Sequence, residues 1–250
     1  VKRLIPILAL LGWLIALPSW AAVTITQHVG TWSNASANSV ALTVTSTASG
    51  ALLIVSCGTN YPLATDACTG VTDNQSNTYT EATNAASTGA SSGTTDVYYK
   101  LSGTGGVTTV TCSYTLTDTK QKYCHLTEVA GFTTAAFDLA GHVDNQTASS
   151  NVETGASITT TSTTGFVLGV VMSGSTVDQN PNSGNEFTSG GDVINSDFAV
   201  ATLISSTAAA HQPVWHANFS TTFFSASTVA FKEAAAAVTT TGWSFGGGWF

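Results

Sequence analysis

The chain has 250 residues, 43% of them hydrophobic and only 8% charged, with 14 acidic residues against six basic ones. That length supports a sizeable core, and a net charge of −8 argues against nucleic acid, whose phosphates are held by clustered Lys and Arg. Beyond Arg3 the only basic side chains of fixed charge are Lys100, Lys120, Lys122 and Lys232, so bidentate recognition of phosphate or carboxylate groups is disfavoured as well.

The chain opens on Lys2-Arg3, an apolar run from Leu4 to Leu17, and Pro18-Ser19-Trp20-Ala21-Ala22. A basic stretch, an apolar stretch and small residues in that order predict a secretory signal peptide over 1–21, cut after Ala21. The run is too short for a bilayer, which needs roughly 20 apolar residues, and Pro6 interrupts it. The expected product is secreted, extracellular or at the cell surface, with no transmembrane span. Residues 22–233 are assigned to one domain.

Next come the cysteines. Four in an exported chain predict two disulfides, and three pairings are arithmetically possible. Cys57–Cys68 and Cys112–Cys124 are favoured. Val110, Cys112 and Tyr114 alternate along one strand face, and folding the chain about Asp118 sets Cys112 opposite Cys124 with Leu126 inward. Each short loop contributes roughly 2 to 3 kcal/mol by restricting the unfolded chain. The competing metal-thiolate reading lacks a C-x-x-C pair or a histidine at zinc-finger spacing.

An internal echo orders the rest. Thr45 to Gly50 leads into the apolar strand Ala51 to Cys57, and Thr161 to Gly165 leads into Phe166 to Met172. Each is followed by an Asn-rich turn (Asn74 to Thr80; Asn182 to Thr188), an Asp-led strand (Asp96 to Tyr99; Asp197 to Val200) and a Val-containing strand (Val107 to Tyr114; Val214 to Phe219). A closing Val-Ala element ends each series, Val129 to Phe132 and Val229 to Phe231. Period-two alternation without a helical period predicts an all-β, antiparallel two-sheet sandwich, with the two continuous apolar strands central. One sandwich with pseudo-two-fold halves is preferred to two tandem immunoglobulin-sized domains, because no Pro- or Gly-rich linker separates the halves. Residues 234–250, ending in Gly242 to Phe250, are expected to be a linker and a Gly/aromatic tail outside the domain.

The strand Ala51 to Val55, the turn Val71 to Tyr79, the segment Glu128 to Phe132 and the closing Val229 to Lys232 together resemble secreted bacterial jelly-roll, concanavalin A-like modules of cell-surface and multidomain extracellular proteins. The resemblance runs over about residues 30 to 232. It implies a jelly-roll architecture in the company of carbohydrate-binding and adhesive domains, and it supplies no site. Ser76 stands where such modules usually carry Gly, which puts the geometry of that turn in question.

Chemistry-bearing patterns are sparse. A glycosidase needs two carboxyl groups across a cleft, yet Glu81 and Glu128 stand alone in their strands and Asp138 and Asp144 flank a Gly. These read as solvated or turn-stabilising groups. The five histidines are scattered, and the closest pair, His211 and His216, falls on opposite strand faces. No Gly-x-Ser-x-Gly elbow occurs. Asp73 to Asn77 concentrates oxygen donors as a calcium loop would, but lacks the twelfth-position Glu, so an Asx-stabilised turn is preferred. No catalysis and no cofactor or metal are expected. Sugar rings stack on exposed aromatics flanked by amides and hydroxyls, which makes Trp32, beside Ser33-Asn34, and Tyr61, between the paired cysteines, the candidate ligand-binding residues. Trp215 and Tyr99 are assigned to the core. The expected function is a non-catalytic module binding a neutral polysaccharide or cell-surface component. The alternatives are a structural or adhesive building block of a surface assembly and, last, a secreted hydrolase.

Overall fold

The computed structural model describes residues 22–60, 68–85, 93–115, 119–147, 152–173, 177–181, 186–189, 197–217 and 223–234. The expected signal peptide, the tail 235–250 and Tyr61 lie outside the described residues. The first half of the chain forms β1 (Thr24–Ser33), β2 (Ser39–Thr43), β3 (Leu52–Thr59), β4 (Cys68–Asp73), β5 (Thr80–Ala85), β6 (Thr94–Lys100), β7 (Thr109–Tyr114) and β8 (Lys122–Ala130). The second forms β9 (Ala135–Thr147), β10 (Val152–Thr154), β11 (Ile158–Thr159), β12 (Gly165–Ser173) and β13 (Val177–Pro181). It continues through β14 (Thr188–Ser189), β15 (Phe198–Ser205), β16 (Ala210–His211), β17 (Val214–Ala217) and β18 (Phe223–Glu233). Among the described residues no helix is long and apolar enough to cross a membrane.

The protein is all-β, and its pairings are antiparallel. The first half builds a five-stranded sheet, β1-β8-β3-β6-β5, covered by β2-β7-β4. The second repeats that order as β9-β18-β12-β15-β14, covered by β10-β17-β13 and the short pair β11-β16. Successive strands thus alternate between sheets as in a jelly roll. The sandwich expected from alternation is built twice, once in each half.

Three apolar layers hold four layers of sheet together. Leu53, Val55, Val110 and Leu126 fill the first sandwich, and Val167, Val171, Ala199 and Trp215 fill the second. Leu52, Ile54, Phe166, Leu168 and Val229 fill the space between the two five-stranded sheets. β3 and β12 are buried along their whole length because each is covered on both faces, whereas β7 shows strict alternation with Val110, Cys112 and Tyr114 inward. Equivalent faces of the two large sheets meet. β5 and β6 lie over β9 and β18, and Tyr123 of β8 stacks on Phe198 of β15, ring centroids 5.3 Å apart, the arrangement a pseudo-two-fold axis produces. Tyr99 stacks on Phe137 at 5.2 Å, and the Thr95 and Ser227 hydroxyls meet at 3.0 Å between the sheets. Approach is close enough that a Cβ on Gly93 would lie 2.4 Å from Cγ of Met172.

Candidate functional site

Both expected disulfides are present, Cys57–Cys68 and Cys112–Cys124, with Cα atoms 6.3 and 5.8 Å apart. The path of the second differs from the expected hairpin. β7 belongs to the three-stranded sheet and β8 to the five-stranded one, so Cys112–Cys124 crosses between sheets. Cys57–Cys68 crosses the same core, from β3 to β4, and Cys57 and Cys124 are register partners. The first sandwich is therefore stapled twice, side by side, through its interior. The Asp96 carboxylate joins the Cys57 and Cys68 sulfurs within 4.8 Å, but sulfurs spent in a disulfide are not thiolate ligands, and Asp96 accepts the Cys68 N–H at 3.2 Å.

That stapled sheet presents β1 at its edge. β1 runs ten residues beside β8, with a register shift between Ile25 and Gln27. The irregularity is held by Gln27, whose amide side chain bonds both the carbonyl and the N–H of Thr45 and also the Glu128 carboxylate. Glu128 accepts the Ala48 N–H at 2.7 Å as well, so this lone carboxylate ties strand to loop. A bulge of this kind blunts an edge locally, leaving His28 to Ser33 as the regular part of the edge. Trp32, opposite Tyr123, is 41% exposed. Its expected companion, Tyr61, lies outside the described residues.

The oxygen-rich turn is occupied by its own donors. Asp73 Oδ1 accepts the N–H groups of Gln75 and Asn77 at 2.8 and 3.1 Å. Oδ2 accepts from Asn77 Nδ2 and the Tyr79 hydroxyl, both at 2.8 Å, and burial with this bond pushes the Tyr79 phenol up. Asn74 and Asn77 cap Thr108, Thr109 and Thr104 N–H groups across the loop. Ser76 takes φ of +58°, the left-handed conformation that favours the Gly of the resembling modules. A carboxylate with four donors has no lone pair turned outward for calcium. Asp73→Ala is expected to cost about 2 to 3 kcal/mol, since several N–H and O–H groups lose one shared acceptor. Added calcium should leave the wild-type melting temperature unchanged, and a calcium-dependent rise in a thermal melt would contradict this account of the turn.

The other carboxylates also have structural partners. Glu81 accepts from Asn84, and Asp138 accepts Thr161 and Lys232 donors at 2.5 to 2.8 Å. Asp144 lies 3.5 Å from His142, which itself meets Thr83 at 3.3 Å between β5 and β9. A cavity of about 240 Å³ opens beside Ala48 to Ala51, Ser102 and residues 130–133. Its lining is small and uncharged, with Phe132 as its aromatic, and it is smaller than the roughly 300 to 1,000 Å³ typical of ligand pockets.

Three arrangements escape sequence reasoning. His28 and His125 meet edge to face, centroids 4.1 Å apart, on the buried side of the first large sheet. His28 Nδ1 lies 2.8 Å from the Thr127 hydroxyl, while His28 Nε2 and both His125 nitrogens find no partner. Rings in van der Waals contact leave no space for a metal between them. Glu153, on β10 opposite Trp215, accepts a 2.5 Å bond from Ser173 and buries its second oxygen unpaired. Burial pushes its carboxyl up to about 7, against a smaller downward pull from Ser173. The third is a relay in the second half: the Ser205 hydroxyl lies 3.0 Å from His211 Nε2, and His211 Nδ1 lies 2.7 Å from Glu186 Oε1. Only the pairing of β14 with β15 brings Glu186 near the end of β15.

No family model matches the sequence, and no curated protein matches it. The resemblance to bacterial concanavalin A-like modules therefore has no family match behind it, and what stands is the antiparallel jelly-roll sandwich. Among solved structures the chain is similar to one from the atomic structure of Sulfolobus Turreted Icosahedral Virus, at TM-score 0.31 and 6% identity over 84% of this chain and 90% of that one. It is similar also to the crystal structure of the STIV MCP, at TM-score 0.28 and 7% identity over 85% and 96%. Likeness at these scores carries no functional argument.

Proposed function

We propose that the chain is an exported structural or adhesive building block, a stiff double sandwich that acts by presenting its edges to other molecules. The observation that supports this is β1, an edge strand among the described residues whose regular part, His28 to Ser33, ends on the exposed Trp32. An edge strand offers a row of N–H and C=O groups to a strand from another chain, and a neighbouring aromatic adds apolar area to the contact. Export is supported by the leader-like residues 2–22 and by two disulfides, which persist in oxidising compartments. The finer reading, contact with a neutral polysaccharide or cell-envelope surface, is favoured by the same Trp32, since an exposed indole beside Ser33 and Asn34 suits a pyranose face. A chain this acidic is ill suited to polyanions.

Trp32→Lys tests both readings, because a lysine on the edge blocks strand addition and removes the stacking surface. The wild type is expected to self-associate in light scattering at rising concentration, or to be retarded by a neutral polysaccharide in affinity electrophoresis. The variant should lose that behaviour while keeping its melting temperature. A wild type that stays monomeric and passes every neutral polymer unretarded would overturn the proposal.

A further inference from the structure

We propose that Ser205, His211 and Glu186 form a nucleophilic site on the second sandwich that accepts acyl groups from small uncharged esters. Three separate segments build it: Ser205 closes β15, His211 closes β16, and Glu186 precedes β14. The two contacts use the two different ring nitrogens, Nε2 toward the serine at 3.0 Å and Nδ1 toward the carboxylate at 2.7 Å. With Nδ1 donating to Glu186, the lone pair of Nε2 points at the Ser205 hydroxyl, which is the tautomer a general base needs. Glu186 is the positioning residue, holding the ring and stabilising the imidazolium that forms.

Burial grades outward through the array. The His211 side chain is 2% exposed and that of Glu186 44%, so the base is fixed in the protein while its orienting carboxylate reaches solvent. Ser205 is 5% exposed, and Ser206, Thr207 and Ala208 beside it are exposed, so a small acyl donor can approach over side chains that are themselves small. The Ser205 hydroxyl also bonds within its own turn, accepting the Thr207 N–H at 3.3 Å and lying 2.8 Å from the Thr207 carbonyl, so its single proton is shared between that carbonyl and His211 Nε2 and turns to Nε2 for the reaction. Those two contacts are enough to shape the turn. They do not call for an imidazole, nor for a carboxylate behind it.

In the proposed step the Ser205 oxygen bonds to the ester carbonyl carbon while its proton passes to His211 Nε2. The tetrahedral adduct then expels the alcohol, which takes that proton, and leaves an acyl ester on Ser205. Water, deprotonated by His211, releases the carboxylic acid and restores the serine. Atoms and charge balance with the ester and water alone.

The test treats the full chain with an alkyl fluorophosphonate and, separately, with p-nitrophenyl acetate, following the peptide that carries Ser205 by mass spectrometry. One modification at Ser205 is expected, absent in Ser205→Ala, and its rate should depend on pH. His211→Gln should slow it at least about 100-fold, the range of a lost general base. Glu186→Gln, a change on the exposed side of the array, should slow it less and shift the pH profile, and this variant serves if His211→Gln fails to fold. A folded wild type that leaves Ser205 unmodified, or one modified at an unchanged rate in a folded His211→Gln or Glu186→Gln, overturns the proposal. The site shares no residue with β1, so either idea can fail without the other.

Discussion

Trp215→Ala will destabilise the protein by about 3 to 5 kcal/mol, toward the upper end for a large aromatic lost from a core. The reason lies in how the two halves close the same space. In the first sandwich, Cys57 of β3 faces Cys124 of β8 across the ladder, and both send disulfides to the covering sheet. In the second, the corresponding strands β12 and β18 place Val171 opposite Ala226, and the indole of Trp215 reaches across from β17, fully buried. Its neighbours are cut back to receive it. A Cβ on Gly169 would lie 3.1 Å from the ring and 2.6 Å from Cγ of Pro213, and one on Gly155 would lie 3.2 Å from the ring. Glycines and alanines cannot swing into the space an alanine would leave, so relaxation is slight and the cavity term nearly complete.

Two comparisons sharpen that expectation. Trp215→Phe should cost markedly less, because the indole N–H finds no acceptor in the core and its removal recovers part of the desolvation loss. Replacing Cys112 and Cys124 together by alanine should cost about 2 to 4 kcal/mol, comparable to the tryptophan although the chemistry differs. Urea unfolding followed by far-ultraviolet circular dichroism measures all three. A loss below about 1 kcal/mol for Trp215→Ala would mean that the second sandwich is held by something other than its indole, against the ordinary scale for core truncation.

The disulfide pairs, the repeated strand order and the burial of Trp215 were legible because each depends on local alternation or short separation. Alternation states which face of a strand is dry. It does not state which sheet the strand joins, and for that reason β7 and β8 read as a hairpin although they lie in different sheets. The four-layer build had a signal in the two continuous apolar strands. Leu52 and Ile54 face one way and Leu53 and Val55 the other, and a strand dry on both faces needs cover on both. Two layers of sheet cannot provide that within one sandwich, whereas two sandwiches back to back can. The Ser205 relay carried no such signal. Serine is abundant, His211 sits across a turn from Ser205, and Glu186 arrives only through strand pairing. His28 and His125 likewise meet by register, since β1 and β8 are separated by most of the first half.

Stability will rise and then fall with pH, and the two limbs will have different owners. Burial holds His28 down at about 4, and burial together with the neighbouring His28 ring holds His125 well below the usual imidazole range. In the unfolded chain both titrate near 6.5. The unfolded state therefore binds protons that the folded state refuses, so the stability tied to these rings is fully present above about pH 6.5 and is lost as the pH falls toward 4. His28 alone accounts for roughly 3 kcal/mol of that acid limb. Each ring adds to the other's cost of protonation, and among the described residues no hydrogen-bond partner offsets it at His28 Nε2 or at either His125 nitrogen.

Glu153 works in the opposite direction. Its buried carboxyl sits at about 7 against 4.5 in the unfolded chain, so the folded state keeps a proton the unfolded state has released. Its contribution is fully present below pH 4.5 and is lost as the pH rises through 7, again roughly 3 kcal/mol. Glu153→Gln keeps an oxygen for the Ser173 hydroxyl and cannot ionise, so it should abolish the decline between pH 5 and 8 while leaving the acid limb intact. His125→Leu, which removes one of the two buried imidazoles, should make the acid limb shallower, leaving the share that belongs to His28, and should not alter the other limb. Urea midpoints at pH 4, 5.5 and 8 separate the cases. If the wild type is as stable at pH 4 as at 5.5, the paired imidazoles are not buried neutral between the two large sheets. If Glu153→Gln declines as the wild type does, the Glu153 carboxyl is not the group that ionises.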